Sequence, residues 1–149
     1  AKVICQTMGV FNHNYVSIQA NVLKELGSKN VMVFHGKDGL DEISTTSNTE
    51  ISEMKESGKI NDYTFNPEKF GIKKISIKNL QGGTAKYNAK IIKNILSGEK
   101  GPKRDIVLIN AASGIIVGNK AKNFNDAIYL AEKSIDSGNA NKILKKLSK

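Results

Sequence analysis

Apolar positions in the first third of the chain alternate between strand-like and helix-like spacing. Val3-Ile4-Cys5-Gln6-Thr7-Met8-Gly9-Val10 has the β-branched enrichment of a sheet strand that ends near Gly9. Asn12 or Asn14 suits a helix cap, Tyr15, Ile18, Val22, Leu23 and Leu26 form an apolar stripe, and Gly27 supplies a stop. Asn30-Val31-Met32-Val33-Phe34 then reads as a strand buried on both faces. Strand, helix and strand at this spacing predict a right-handed βαβ unit with a parallel pair.

Beyond residue 44 the pattern loosens. Glu50 to Met54 alternates weakly and Lys59 to Phe65 more clearly, with Ser57-Gly58 between them, which predicts an antiparallel hairpin ended by Asn66-Pro67. Pro67 to Gly71 is a turn or one helical turn with Pro at its start, and residues 72–80 are irregular or briefly extended. Thr84 caps a helix from Ala85 to Leu96, and Pro102 opens one that is apolar nearly all round through Val117, the mark of burial on several sides. Asn110 is the polar exception there and needs hydrogen-bond partners if buried. A third helix starts at Asn123 or Asn125 and turns Ala127, Ile128, Leu130, Ala131 and Ile135 inward. A short last one follows Gly138 and carries lysines in its final turn.

Candidate chemistry concentrates in His35-Gly36-Lys37-Asp38-Gly39-Leu40-Asp41-Glu42-Ile43-Ser44, where two glycines and three carboxylates follow the second strand. The carboxyl end of a strand in an open α/β sheet is where ligand crevices form. Adjacent Asp41 and Glu42 would face opposite ways on a strand, but in a loop both can reach one centre. Hard oxygen donors of this kind suit magnesium that is shared with substrate phosphates. The competing reading is a solvated surface turn, for which Asp, Glu and Gly are equally suited. The Thr45-to-Thr49 hydroxyls line a site on one reading and a plain loop on the other. Gly82-Gly83 is a weak phosphate signal, because no complete phosphate-loop pattern surrounds it. His13 and His35 have no cysteine neighbours and no zinc spacing, and no serine sits in a nucleophile elbow.

Charge changes this picture little. The 149 residues carry a net charge of +9, supplied by scattered lysines and the single arginine Arg104. Without an aromatic-interleaved basic patch, a nucleic-acid partner is not expected. The lone Cys5, preceded by Val3 and Ile4, reads as a buried thiol in a cytoplasmic protein, and neither a signal peptide nor an apolar run of membrane-spanning length is present. The abrupt start on a strand-like segment reads as a truncated N-terminus.

Several motifs in one order resemble the anthranilate phosphoribosyltransferase family. They are Gln6-Thr7-Met8-Gly9-Val10-Phe11, His35-Gly36 with Asp38-Gly39-Leu40-Asp41-Glu42-Ile43-Ser44, Tyr63 to Gly71, Leu80-Gln81-Gly82-Gly83 with Asn88-Ala89, Leu96 to Pro102, Arg104-Asp105, and Asn110-Ala111-Ala112. The resemblance implies transfer of a phosphoribosyl group from phosphoribosyl pyrophosphate to anthranilate, in tryptophan biosynthesis, with release of pyrophosphate. It also implies that Asp41 and Glu42 are the metal ligands, contacting Mg2+ bound to the pyrophosphate, and that the intact enzyme is a homodimer.

The family's Gly-Thr-Gly-Gly-Asp loop, its Lys-His-Gly-Asn-Arg stretch and most of its helical domain have no counterpart here. Thr46-Ser47-Asn48-Thr49 also departs from the Thr-Gly-Pro-Thr-like turn that commonly follows the family's acidic pair. Residues 1–149 are therefore expected to be the C-terminal part of a nucleoside phosphorylase/phosphoribosyltransferase-like catalytic domain. Its fold class is expected to be α/β, a mainly parallel sheet with an antiparallel hairpin and C-terminal helices, and the piece alone is expected to be inactive. Two rivals are a nucleoside phosphorylase-like or related transferase with another acceptor, and a noncatalytic lysine-rich binding module.

Overall fold

The computed structural model describes residues 3–147. Four strands form one sheet in the order β1 (Cys5–Gly9), β2 (Asn30–Gly36), β3 (Thr49–Met54) and β4 (Ile60–Phe65). Helix α1 (Tyr15–Glu25) makes the crossover from β1 to β2, and these two strands are parallel, as the βαβ spacing predicts. The β3–β4 hairpin also forms where predicted, with Gly58 at φ 73° in its turn.

The expectation of a mainly parallel sheet is overturned. β2 pairs antiparallel with β3, and β3 antiparallel with β4, so among the described residues β1–β2 is the only parallel pair. The connection explains the difference. A parallel return needs a crossover that carries the chain back along the sheet, usually through a helix. The segment between β2 and β3 contains no helix; it folds up at the carboxyl end of β2 and re-enters the sheet from that end.

Every residue of β2 is buried, because helices cover both faces of the sheet. Val31 and Val33 point to one face, where they join Val16, Ala20 and Leu23 of α1. Met32 and Phe34 point to the other and join Ile109, Ala112, Ile116 and Val117 of α3 (Pro102–Val117) with Phe124 and Ala127 of α4 (Phe124–Asp136). Leu108, on another side of α3, packs with Ile95 of α2 (Ala85–Leu96) and with Ala131 and Ile135 of α4. The two-sided burial of α3 expected from its breadth is therefore present. α5 (Asn139–Leu147) closes the helical layer. Arg104, 1% exposed, donates two hydrogen bonds of 2.7 and 3.0 Å to Asp136 and so ties the first turn of α3 to the last residue of α4. No helix among the described residues is long and apolar enough to cross a membrane.

Two sequence expectations about the first unit fail. Cys5 is exposed, since β1 is an edge strand with β2 on one side only. On α1, only Leu23 of the expected stripe is buried, while Tyr15, Ile18, Val22 and Leu26 are exposed. The buried face is Val16, Ala20 and Leu23, whose small central alanine allows close approach to the sheet. Ile18→Lys is thus expected to change stability by no more than about 0.5 kcal/mol. Leu23→Ala, by contrast, should cost about 2–5 kcal/mol. Urea unfolding of the two variants distinguishes the faces, and a larger loss for Ile18→Lys would reverse the assignment.

Candidate functional site

The run from His35 to Thr49 forms a compact loop at the carboxyl end of β2. Gly39, at φ 93°, allows the tight turn in which Gly39 N–H donates to Gly36 O and Gly36 N–H to Leu40 O, each at 2.8 Å. His35 is buried, and its Nδ1 lies 2.8 Å from Val10 O. A carbonyl only accepts, so Nδ1 carries the proton and locks the ring to the end of β1. His13, the other histidine, is exposed and 3.9 Å from Glu50. Neither histidine reaches the acidic pair through a hydrogen bond described here.

The three carboxylates have separate fates. Asp38 is spent on the loop: its Oδ2 accepts from Ser44 Oγ at 2.5 Å and from Thr46 Oγ1, while its Oδ1 accepts from Leu40 N–H at 3.3 Å. Ser44 Oγ in turn accepts from Thr46 N–H at 2.9 Å and Ser47 N–H at 3.3 Å. Ser44 N–H donates to Thr49 Oγ1 at 2.9 Å. The Ser and Thr hydroxyls therefore mostly hold the loop's own backbone and Asp38. The Thr45 hydroxyl is the exception, buried without a hydrogen-bond partner, as is the Asn48 amide oxygen.

Burial pushes the Asp38 carboxyl up, but hydrogen bonds from Ser44, Thr46 and the backbone outweigh it and hold the group below its ordinary value of 3.8. A carboxylate depressed in the folded state stabilises fully above the unfolded value, and that contribution is lost as pH falls through the folded value. Asp38→Asn is accordingly expected to destabilise at pH 6, with a penalty that shrinks toward pH 3. Unfolding midpoints of the two proteins at both pH values check this, and a pH-independent difference would exclude it.

Asp41 and Glu42 remain exposed at a bend, free of the loop's hydrogen bonds. Burial first, and then the charge of Asp41, raises the Glu42 carboxyl above its ordinary value of 4.5. Glu42 also borders an apolar cavity of about 440 Å³ lined by Leu40, Ile77, Leu80 and Ile106. Two adjacent hard-oxygen donors, one of them resisting ionisation beside the other, fit a cation that is partly coordinated by something else. Among the described residues, no cluster of three or more His, Cys, Asp or Glu side chains forms a complete protein-only metal cage.

The neighbouring segments show what sequence reasoning left open or missed. Asn110, flagged only as a polar residue on an apolar helix, accepts Ile43 N–H on Oδ1 at 2.9 Å and donates from Nδ2 to Ile43 O at 2.9 Å. In the sequence Gly9 reads simply as a strand end. A Cβ there would stand 1.6 Å from Asp41 O, so β1 ends in direct backbone contact with the acidic segment. Gly82-Gly83 lies in the irregular lead-in to α2 and is held by Asn88, whose Oδ1 accepts Gly83 N–H at 2.8 Å, which leaves that N–H unavailable to a phosphate. Thr84 Oγ1 accepts Tyr87 N–H and caps α2 as expected.

Residues 1–141 match the glycosyl transferase family, a/b domain. The chain belongs to this family. Anthranilate phosphoribosyltransferase of Acetivibrio thermocellus is 47% identical over 135 residues, which are 91% of this chain and 39% of that protein. The crystal structure of anthranilate phosphoribosyltransferase from Thermus thermophilus superposes with a TM-score of 0.83 at 31% identity, over 93% of this chain and 40% of that one. The Saccharomyces cerevisiae enzyme, in complex with PRPP and Mg, gives a TM-score of 0.83 at 26% identity over the same shares. The present sequence thus spans about 40% of the length of these family members.

Proposed function

We propose that this chain is the C-terminal part of the catalytic α/β domain of an anthranilate phosphoribosyltransferase and contributes the metal-binding half of its site. The observation that carries the reading is the exposed Asp41-Glu42 pair, on a loop braced at the carboxyl end of β2, in a chain of this family. The yeast relative with PRPP and Mg supports both the substrate and the ion. The reaction is transfer of the phosphoribosyl group to the amine of anthranilate with loss of pyrophosphate. A homodimer is the assembly proposed for the intact protein.

Asp41 and Glu42 would hold the ion, whose chemistry when bound is to neutralise charge on the departing pyrophosphate. Burial and the charge of Asp41 raise the Glu42 carboxyl, and a bound cation would offset both costs by drawing on the ionised pair. Catalysis in this reading is positioning and leaving-group stabilisation, with no covalent nucleophile from the protein.

The test is pyrophosphate release with phosphoribosyl pyrophosphate, Mg2+ and anthranilate. It should be measured on the 149-residue chain and on a protein that joins it to a region equivalent to the remainder of the relatives. Release is expected from the longer protein and not from the chain alone. Full release from the chain alone would overturn the half-site reading. Phosphorolysis of a nucleoside in place of anthranilate-dependent release would replace the acceptor, and tight, salt-sensitive nucleic-acid binding without turnover would favour the noncatalytic rival.

A further inference from the structure

The acidic pair is followed by a residue with no freedom. Ile43 is 0% exposed, and its side chain lies in the core cluster with Met32, Phe34, Ile51 and Ile109. Both of its backbone polar groups are engaged by one side chain, the half-buried Asn110 of α3. The orientation of that amide follows from chemistry: Ile43 N–H only donates and Ile43 O only accepts, so Oδ1 faces the first and Nδ2 the second. The other Nδ2 proton goes to Ile106 O at 2.9 Å, within α3 itself. Asn110 is therefore fully used and cannot rotate without breaking three hydrogen bonds.

On the other side of the pair, Gly9 pairs with Phe34 in the parallel ladder and approaches Asp41 O so closely that no side chain fits. The segment 41–43 is thus pinned between the end of β1 and the middle of α3, two elements far apart in sequence. Neither Asn110 nor Gly9 offers a group to the ion. Their contacts are to backbone, directly beside the two carboxylates.

We infer that Asn110 and Gly9 are positioning residues that set the backbone of Asp41-Glu42-Ile43 and hold both carboxylates where they serve one divalent centre. This rests on the metal reading of Asp41 and Glu42 given above. Supporting groups around a metal site commonly change affinity by about 10–100-fold, and displacement of a site by an ångström is enough to impair it. Asn110→Ala removes the pin and leaves a buried N–H and C=O of Ile43 unpaired. Gly9→Ala displaces Asp41 from the opposite side.

The experiment uses the 149-residue chain and Mn2+ as the probe, with NMR line broadening at Asp41 and Glu42 and amide hydrogen exchange across residues 41–43. Asn110→Ala and Gly9→Ala are expected to weaken Mn2+ binding roughly tenfold and to speed exchange at those amides. Leu108→Ala, a core change on the same helix in a separate cluster, is expected to lower the melting temperature with Mn2+ affinity and local exchange unaltered. Wild-type affinity in Asn110→Ala, or an equal loss in Leu108→Ala, would overturn the inference. The double variant Asp41→Asn, Glu42→Gln tests the metal reading separately: Mn2+ broadening that survives it, or none in the wild type even with pyrophosphate present to complete the coordination, sinks that reading. The exchange arm still decides whether Asn110 and Gly9 set the loop, and unchanged exchange in both variants refutes it. Should Gly9→Ala fail to fold, Asn110→Ala carries the test alone.

Discussion

Replacing Phe65 with Ala is expected to lower the unfolding free energy by about 3–5 kcal/mol, the range for deleting a buried aromatic ring. Phe65 is 2% exposed and ends β4, an edge strand whose other residues are only partly covered. Its ring stacks on Phe70 at 4.8 Å with an interplanar angle of 2°, and meets Phe124 at 4.7 Å and 54°. Phe70 and Phe124 are themselves 5.6 Å apart. One side chain thus joins the last strand, the turn after it and the start of α4. Aromatic pairs of this geometry add about 0.5–1.5 kcal/mol to what area burial supplies. Urea denaturation gives the measurement, and the loss in Phe65→Ala should not add to that in Phe124→Ala, because the two changes remove the same contact. A drop below about 1 kcal/mol would mean that the site collapses around the missing ring and that the cluster is not what anchors β4.

How far the fold can be read from the chain depends on whether local pattern decides the outcome. β2 was readable because five consecutive residues from Asn30 to Phe34 suit a strand covered on both faces, and both are covered. The direction of β3 was not, since Thr49 to Met54 has the same alternation whichever way it runs, and direction is set by a loop whose shape depends on Asp38, Ser44 and Thr49 meeting in space. The face of α1 shows another limit. Tyr15, Ile18, Val22 and Leu26 recur at helical spacing, and so do Val16, Ala20 and Leu23, roughly 120° around, with Leu23 alone common to the expected stripe and the buried face. Size favoured the first set, whereas close helix-on-sheet packing uses the alanine in the second.

The site divides along the same line. Asp41 and Glu42 stood out through residue type and through the strand before them, and both remain unspent in the folded chain. Asp38 looked equivalent, yet it is consumed by hydroxyls that only the closed loop brings together. Asn110 carried a signal, a lone amide on an apolar helix, but its partner lies 67 positions away. Gly9 carried almost none, because the reason for a glycine there is a backbone contact with residue 41 that exists only once the sheet and the loop are both formed.

Asp41→Asn should separate function from stability. Asp41 is exposed and outside the loop's hydrogen bonds, and its charge repels that of Glu42, so the variant is expected to unfold at or slightly above the wild-type urea midpoint. In a protein carrying the rest of the enzyme, loss of one anionic ligand should reduce Mg2+-dependent turnover about a hundredfold, the scale found when one group that stabilises developing charge is removed. Glu42→Gln should lose activity and gain stability. Burial first, and the neighbouring Asp41 second, raise the Glu42 carboxyl above 4.5 in the folded chain. Between the unfolded value and that raised value the folded state holds the extra proton, so stability falls as pH rises through this window. Above it, ionised Glu42 is a standing cost that glutamine does not carry, and below pH 4 the two proteins should converge. A Glu42→Gln chain no more stable than wild type at pH 7 would contradict the strained-pair account. An Asp41→Asn enzyme with undiminished Mg2+-dependent turnover would contradict the assignment of the pair to the metal.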